Sequence, residues 1–393
     1  MSAAIPSTDK DLFDVESVRN ARSVDDWVRE TAPVVWLERE NIAMLGRYEH
    51  VSKGLVDWHS FSNTSRPWHD PNSVRPEILL TDDPPRHTQV RAVIARALSP
   101  KAMKQAEDGF RREAARLVDE LLDRAGEVID AVSGITARYV HKVLPDLMGL
   151  PVQGREKMTP FGNAVWATMG PANALFDAAM AEAGDSFEWV DRSCNRENIR
   201  PDSLGGEMYA AADRGEISEQ DAKLLTLTIL SAGSDTTVIT MGNAMRAFAQ
   251  FPEQYQILRE EPPLMRNAFD EALRWDSPSR MAGRIAKKDV TIDDYVIPAG
   301  TRCGLMFAAA NRDPRKWNEP ETYDVRRDVR GSLGWGQGIH MCVGKALAQM
   351  EADALLGEIV KRVERIEPAG EPEPWMTTIG HGPIHVPVRL IAA

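Results

Sequence analysis

A glycine-rich loop that carries a single cysteine constrains the fold of this chain more than any other feature. Residues 334–344 read GWGQGIHMCVG, and the helical run that starts at Lys345 follows at once. Glycines let a backbone adopt positive φ and approach a flat partner closely. A cysteine at the first turn of a helix is favoured as the thiolate by the helix dipole and the free amides. The pattern therefore indicates a thiolate ligand, Cys342, pressed against a large planar cofactor.

The alternative is a buried free cysteine in a tight turn, which is what most lone cysteines are. Turn glycines alone would not require a histidine and a sulfur in this register. The other two cysteines, Cys194 and Cys303, lack glycine-flanked loops, and we expect them to be inert thiols. Three widely separated cysteines without zinc spacing argue against a disulfide framework and a zinc site.

The loop resembles the haem-binding loop of the cytochrome P450 family, Phe-Gly-x-Gly-x-His/Arg-x-Cys-x-Gly. Trp335 stands in the usual phenylalanine position, and the other positions match at Gly336, Gly338, His340, Cys342 and Gly344. The resemblance implies haem b (iron protoporphyrin IX) as the cofactor and Cys342 as the axial ligand of its iron. We expect Trp335 to retune the potential of the iron rather than to abolish ligation.

Composition places the chain among ordinary globular proteins. It has 393 residues, of which 43% are hydrophobic and 27% charged. We expect one mainly α domain over residues 1–393, a helix-rich lobe with a smaller antiparallel β-sheet region, and poor order in residues 1–15. Such a two-lobed P450 fold is what the resemblance implies, whereas periodicity alone indicates only a mostly helical protein.

The N-terminus has neither a basic segment nor an apolar core typical of a signal peptide, and no run reaches the ~18 apolar residues of a membrane span. We therefore expect a cytoplasmic protein without membrane contact, and a monomer. The net charge of −12 opposes non-specific binding of nucleic acid.

Periodicity predicts the main elements. Helices are expected near residues 101–123, 216–250, 263–275 and 342–366. Strands are expected at residues 34–37, 42–45, 290–296, 302–307 and 384–391.

The longest predicted helix has polar residues at its middle, where residues 230–238 read LSAGSDTTV. Gly233 costs about 1 kcal/mol relative to alanine in a helix, and Ser, Thr and Asp side chains can open the hydrogen-bond ladder locally. The segment matches the family signature Ala-Gly-x-Asp/Glu-Thr-Thr. The resemblance implies that Asp235 and Thr236 relay the protons that oxygen activation consumes in a dry pocket. The alternative is a polar patch that merely bends a core helix.

Glu271 and Arg274 are three residues apart and share a helix face. The resemblance implies the family's Glu-x-x-Arg pair, locked by Arg327, in a structural network that braces the loop leading to Cys342. Alone the spacing is a weak signal, because an exposed pair contributes only about 0.3–0.5 kcal/mol.

His87 and Arg91 are four residues apart, after the Pro84-Pro85 pair that can open a helix. The resemblance implies that both groups, with Arg284 and His340, bind the haem propionates, whose burial would otherwise be costly. A basic helix face without such a ligand is usually only solvated.

Electrons must come from another protein, since no flavin or dinucleotide fingerprint precedes a βαβ pattern. A basic patch on an otherwise acidic chain could steer an acidic iron–sulfur ferredoxin, itself served by an NAD(P)H-dependent reductase. Its candidate residues are Arg86, Arg96, Lys101, Lys104 and Lys345. The alternative is a merely solvated helix face.

The resemblance also implies where the substrate pocket lies. Its candidate residues are Arg66, Met169, Ser231, Ala232, Arg280, Met281 and Ala282. Their mixture of aromatic surroundings, methionines and small residues suits a compact apolar ligand with one polar handle.

In overall pattern the chain is similar to bacterial P450s that oxidise para-substituted benzoates, often by O-demethylation. Those enzymes hold the carboxylate partly with an arginine at a position that reads Leu227 here, followed by Thr228. A neutral phenolic ether, or another small hydrophobe such as a terpenoid, therefore stays open, with Arg66 or Arg280 as a substitute anchor.

Three functions fit these patterns. The first is a ferredoxin-dependent monooxygenase that inserts one atom of O2 into a small, aromatic substrate. The second is a peroxide-using relative, against which the Asp235–Thr236 pair argues. The third is a non-enzymatic haem sensor or carrier, which would need neither a proton relay nor a docking face.

Overall fold

Helices dominate the structure, a computed structural model that describes residues 3–64 and 78–393. The helices are α1 (Val15–Arg19), α2 (Ala21–Thr31), α3 (Tyr48–Val56), α4 (Arg86–Ala97), α5 (Pro100–Leu122), α6 (Ala137–Met148), α7 (Met158–Ala167), α8 (Ala174–Ala183), α9 (Ser186–Ser193), α10 (Leu204–Asp213), α11 (Glu219–Gln250), α12 (Pro252–Glu260), α13 (Met265–Trp275), α14 (Phe307–Ala310) and α15 (Lys345–Arg362). A helix-rich architecture was the expectation, and it is confirmed.

The strands are short and lie mainly toward the two ends of the chain. They are β1 (Ser7–Thr8), β2 (Val35–Leu37), β3 (Ile42–Leu45), β4 (Phe61–Ser62), β5 (Val128–Asp130), β6 (Ala282–Ala286), β7 (Val290–Ile292), β8 (Tyr295–Ile297), β9 (Arg302–Leu305), β10 (Val363–Pro368), β11 (Glu373–Pro374), β12 (Pro383–His385) and β13 (Pro387–Ala392). The largest sheet has the order β1-β2-β3-β9-β6-β4. It is mixed rather than antiparallel as expected, because β1–β2 and β3–β9 are parallel pairs.

Helix α11 runs through the core and packs against α6, α7, α10 and α13. Ser218 caps it: its hydroxyl accepts from the amide of Asp221, whose carboxylate accepts from the Ser218 amide, both at 3.1 Å. The helix is continuous through its polar middle, so the expected local opening of the ladder is wrong. The Thr236 hydroxyl donates to the carbonyl of Ala232 at 2.7 Å and leaves the helix unbroken.

Several element boundaries differ from the sequence prediction. The last predicted helix ends at Arg362, and Val363–Pro368 is a strand, since this segment pairs with the distant strand β13. The strand expected at residues 290–296 is a hairpin that turns at Asp293, whose φ is 52°. The strand expected at 302–307 ends at Leu305, and the short helix Phe307–Ala310 follows. Tertiary pairing, which periodicity does not report, decides each case.

The N-terminal segment belongs to the folded body. Strand β1 pairs with β2, and the side chains of Leu12 and Phe13 are buried in the main hydrophobic cluster. The structure therefore places residues 7–13 against the folded body, within the range 1–15 for which poor order was expected. Burial of two large apolar side chains provides the stabilisation that orders them.

One helix in the described ranges, α11, is long and apolar enough to cross a membrane by length and composition alone. Most of its most apolar window is buried inside the protein, as in the central helix of a large core.

Candidate active site

The cysteine loop, defined here as residues 333–344, follows the large sheet and ends at the start of α15. Gly336 and Gly338 have φ values of 66° and 68°, which L side chains rarely adopt. A Cβ at Gly338 would also lie 2.6 Å from the carbonyl oxygen of Leu55. The amide of Cys342 donates to the carbonyl of Trp335 at 2.8 Å and closes the turn. The glycine pattern is thus required by backbone conformation and by close packing.

Cys342 lies two residues before Gly344, the N-cap of α15, rather than in the first helical turn as expected. The amides of Gly344 and Lys345 still donate toward its sulfur, and the charges of Arg91 and Lys345 also favour the thiolate. Desolvation by the surrounding protein nevertheless outweighs these effects and raises the pKa of the Cys342 thiol.

Four groups predicted from different parts of the sequence converge beside this loop. The rings of His87 and His340 lie 4.4 Å apart, centroid to centroid. Arg284 is buried on β6, and its guanidinium donates only to the carbonyl of Gly283 among the hydrogen bonds of the described chain. Arg91 donates to the carbonyl of Met341 at 2.6 Å.

In this group His87 and Arg284 are buried and Arg91 and His340 half-buried, and none of the four forms an ion pair within the described residues, although the charge of Asp83 acts on His87, Arg284 and His340. Desolvation and the field of Arg284 lower the pKa of His340 to about 3, and burial lowers the pKa of Arg284 to about 10. The His87 ring lies near the carbonyl of Ile339, but neither of its nitrogens makes a well-formed hydrogen bond, nor does Nε2 of His340. Unpaired donors and surplus positive charge fit a buried dianion, such as the two propionates of haem.

Asp235 lies on α11 with its carboxyl group buried against α7. Its Oδ2 has no hydrogen-bond partner, and burial raises the pKa of the carboxyl to about 8, opposed only by a hydrogen bond from Ser234. A Cβ at Gly162 would lie 2.5 Å from Cγ and 2.6 Å from Oδ1 of Asp235. Gly162 therefore makes the space that the carboxyl occupies, a role that the sequence did not reveal.

The other predicted pocket residues are distributed over three elements. Ser231 and Ala232 lie one turn before Asp235, where the Ser231 hydroxyl donates to the carbonyl of Thr228 at 3.3 Å. Met169 is half-buried just after α7. Met281 is buried and Ala282 half-buried at the start of β6.

Two arginines were considered as anchors for a substrate carboxylate. Arg66 lies outside the described residues. Arg280 is fully buried, and its Nε donates to Asp25 at 2.7 Å in an internal ion pair. This internal pair argues against Arg280 as a substrate anchor, because Asp25 already compensates its charge, although the buried Nη2 of Arg280 has no hydrogen-bond partner. Leu227 and Thr228 are both buried.

The Glu271–Arg274 pair is completely buried, which excludes the alternative of a solvent-exposed pair. Arg274 donates to both carboxylate oxygens of Glu271, at 2.6 and 2.8 Å, and Arg327 donates to Glu271 at 2.9 Å. Arg274 also donates to the carbonyl of Asn311 at 2.9 Å, and the Asn311 side chain accepts from the amide of Leu333 at 2.8 Å. This chain of contacts connects the network to the cysteine loop. Asn311 was not singled out from the sequence, because nothing local marks its partner.

The predicted docking patch is less positive than its sequence indicates. Arg86 pairs with Asp221 at 2.6 Å, and Arg96 pairs with Glu216. Lys345 lies 3.6 Å from Asp270. These neighbouring acids offset much of the predicted positive charge at the surface.

Lys101 and Lys104 are exposed on the first turns of α5.

Cys194 and Cys303 are buried, as expected for inert thiols, and burial raises the pKa of Cys303 to about 12. No cluster of three or more metal-ligating side chains occurs in the described part of the chain.

A helix-rich fold in which one loop presents a cysteine beside arginines and histidines with unpaired donors is the arrangement expected of a haem-thiolate protein. Comparison with known proteins agrees. The family described as "Cytochrome P450" matches residues 191–384. "Cytochrome p450 CYP199A2" from Rhodopseudomonas palustris is 35% identical over 401 residues, covering 100% of this chain and 96% of that protein.

Solved structures give the same result. CYP109Q5 from Chondromyces apiculatus superimposes with a TM-score of 0.81 at 28% identity, over 99% of this chain and 100% of the other. CYP109E1 from Bacillus megaterium, in complex with testosterone, superimposes with a TM-score of 0.83 at 26% identity, over 96% of this chain and 99% of the other. This chain belongs to the cytochrome P450 family. It is a P450 monooxygenase whose cofactor is haem with a thiolate-bound iron.

Proposed function

We propose that this P450 receives electrons from an iron–sulfur ferredoxin and inserts one atom of O2 into a small, neutral aromatic substrate. Thiolate-bound haem supplies the cleavage of the O–O bond. The observation that carries the proposal is the position of Cys342 beside a buried cationic cluster with unpaired donors. The residues of the chain bind the cofactor, exclude water and handle protons.

In this proposal Cys342 supplies the thiolate, and His87, Arg91, Arg284 and His340 bind the propionates. The test is the absorption spectrum of the reduced carbon monoxide complex, whose Soret band should shift strongly to the red. Cys342→Ser should lose that shift, while Cys194→Ser, at a buried cysteine elsewhere, should keep it. A red-shifted complex in Cys342→Ser would contradict the assignment.

Asp235 and Thr236 are proposed to deliver protons. A carboxyl whose pKa is about 8 is mostly protonated at neutral pH and can donate. Thr236 is the next residue, and its hydroxyl would have to leave the carbonyl of Ala232 to pass a proton onward.

Thr236→Ala should keep haem and substrate binding but divert reducing equivalents to peroxide. Thr240→Ala is the matched control, since Thr240 lies one turn further along α11 and its hydroxyl also donates to an i−4 carbonyl, at 2.6 Å. Equal product per NADH in wild type and Thr236→Ala would remove the relay role.

Ferredoxin dependence rests on the lack of a flavin or dinucleotide fingerprint and on the exposed lysines at the start of α5. NADH consumption that needs substrate, ferredoxin and an NAD(P)H-dependent reductase together supports it. Turnover with peroxide alone would favour a peroxide-using enzyme, and haem binding without turnover in either assay would favour a sensor. We also propose that the enzyme works as a cytoplasmic monomer.

The substrate is proposed to be neutral because neither of two positions considered for a carboxylate anchor offers an uncompensated cation. Leu227 is apolar, and the Arg280 guanidinium is paired with Asp25. An aromatic ring is supported by the similarity in pattern to P450s that oxidise para-substituted benzoates. Met169, Met281 and Ala282 offer a largely apolar lining.

A matched ligand pair tests the charge preference. The para-methoxybenzoate anion and its methyl ester share the ring and the methoxy group and differ mainly in charge. The ester should bind at least about tenfold more tightly, measured by displacement of the iron's water in the absorption spectrum. Tighter binding of the acid would contradict a neutral substrate and direct attention to Arg66. A terpenoid that outcompetes both would favour a different hydrophobic substrate.

A further inference from the structure

One carboxylate joins three segments beside the cysteine loop. Asp270 on α13 accepts from Nε1 of Trp335 at 3.0 Å and from Nε2 of Gln349 at 3.0 and 3.1 Å. Nζ of Lys345 lies 3.6 Å from the same carboxylate. The side chain of Asp270 is mostly buried. Helix α13, the cysteine loop and helix α15 therefore meet at a single anion.

The spacing on α15 explains how two donors reach this point. Lys345 and Gln349 are four residues apart, so their side chains lie on the same face of the helix. The Lys345 ammonium also lies 5.6 Å from the ring centroid of Trp335, within the range of a cation–π contact. The indole is thus fixed by a hydrogen bond at its edge and a cation over its face.

Trp335 is held at its backbone as well. Its carbonyl accepts the amide of Cys342 at 2.8 Å, so the residue that binds Asp270 through its side chain fixes the cysteine through its main chain. Hydrogen bonds to an ionised carboxylate are shorter and stronger than neutral ones. Removing the carboxylate would leave the indole N–H and the Gln349 amide without their shared acceptor.

We infer that Asp270 is a positioning residue for Cys342, acting through Trp335 on the geometry and the electrostatic environment of the sulfur. The inference rests on the proposed role of Cys342 as the iron ligand. The neighbouring acid, Glu271, belongs to a separate network with Arg274 and Arg327. The two acids therefore fix different parts of the same loop.

A double-mutant cycle tests the inference. Asp270→Ala removes the acceptor, and Trp335→Phe keeps an aromatic ring but removes the donor. Each single variant should lose haem to an excess of a haem-scavenging globin about three- to tenfold faster, and the double variant no faster than Asp270→Ala, because the indole has already lost its acceptor there. Asp270→Asn, which keeps an acceptor, should lie between wild type and Asp270→Ala.

Three further readouts separate positioning from general destabilisation. The single variants should shift the reduction potential of the iron, and they should convert the red-shifted carbon monoxide band to an unshifted band at lower urea than wild type. In the haem-free protein, Asp270→Ala should change the tryptophan emission, and in the Trp335→Phe background it should not. Asp353→Asn is the control, since Asp353 lies on α15 but pairs with Arg266.

The inference would be overturned if both single variants lost haem at the wild-type rate and kept the wild-type reduction potential. Strictly additive effects in the double variant would overturn it as well. A wild-type protein without a red-shifted carbon monoxide complex would instead overturn the proposed thiolate ligation itself. The two failures are therefore distinguishable.

Discussion

The two sides of the candidate haem site are built in opposite ways. On the cysteine side, formed by the cysteine loop, α13 and the start of α15, the acids Asp270 and Glu271 have several donors each. On the acid side, formed by residues 231–237 of α11 and the facing helix α7, Asp235 keeps one carboxylate oxygen without a partner. The loop that carries the proposed iron ligand is held by satisfied polar contacts, whereas the carboxyl proposed to pass protons is left unsatisfied.

The largest effect is expected on the cysteine side. Arg274→Ala leaves Glu271 completely buried with Arg327 as its remaining side-chain cation, and breaking a buried pair this way costs about 3–5 kcal/mol. The free energy of unfolding in urea and the haem content of the purified protein measure this loss. Arg330→Ala, which removes an exposed pair with Asp328, should change neither. A loss below about 1 kcal/mol for Arg274→Ala would break the contrast between the two sides.

The second-largest effect is the pH dependence of the unfolding free energy that Asp235 causes on the acid side. Because burial raises the pKa of Asp235 to about 8, the carboxyl stays protonated in the folded protein while it ionises in the unfolded chain above its ordinary pKa of 3.8. Wild type therefore loses stability relative to Asp235→Asn as pH rises from about 4 to about 8. The difference in unfolding free energy should grow by about 2–3 kcal/mol between pH 5 and pH 7.

Urea unfolding of wild type and Asp235→Asn at several pH values measures whether the difference in unfolding free energy grows with pH. Glu188→Gln, at an exposed acid, should show no such trend. A constant difference between wild type and Asp235→Asn would mean that Asp235 is ionised in the folded protein and has an unrecognised partner.

A smaller effect tests the space that Asp235 occupies. Gly162→Ala places a methyl group where the carboxyl lies and should displace it, lowering the product formed per NADH about tenfold while haem binding persists. Gly357→Ala on α15, where a Cβ would meet nothing within 4 Å, should leave this ratio unchanged. Unchanged coupling in Gly162→Ala would show that the position of the carboxyl is not critical.

The smallest effect is expected at the surface. Changing Lys101 and Lys104 to Glu should slow reduction by the ferredoxin about two- to fivefold at low ionic strength, and the effect should vanish at high salt. Arg124→Glu is a control just beyond the other end of the same helix, about 34 Å away by helix geometry. Equal reduction rates in all three proteins would place the docking face elsewhere.

Short-range patterns predicted much of the site. The spacing of glycines, histidine and cysteine identified the cysteine loop, and the three-residue spacing identified the Glu271–Arg274 pair. Both depend on contacts within a turn or along one helix face, which sequence order reports directly. The roles of these residues stay predictions until variants are measured.

Partners that are distant in the chain could not be predicted in this way. Arg280 lies 255 positions from Asp25, and Trp335 lies 65 positions from Asp270, yet each pair is in direct contact. The space for the Asp235 carboxyl likewise depends on a glycine in another helix. Such pairings depend on how helices pack, and no local spacing encodes them.

By itself, the sequence determined the class of this protein, because a thiolate loop, an acid–threonine pair and a mainly helical pattern are local features. Only the tertiary structure decided which charges are free to act. It placed Arg280 in a buried ion pair and Arg86 and Arg96 in partly exposed ion pairs, and it left the donors of His87 and His340 unpaired beside Arg284. The reason is that a side chain's charge acts on a ligand or partner only where folding leaves it uncompensated and within reach.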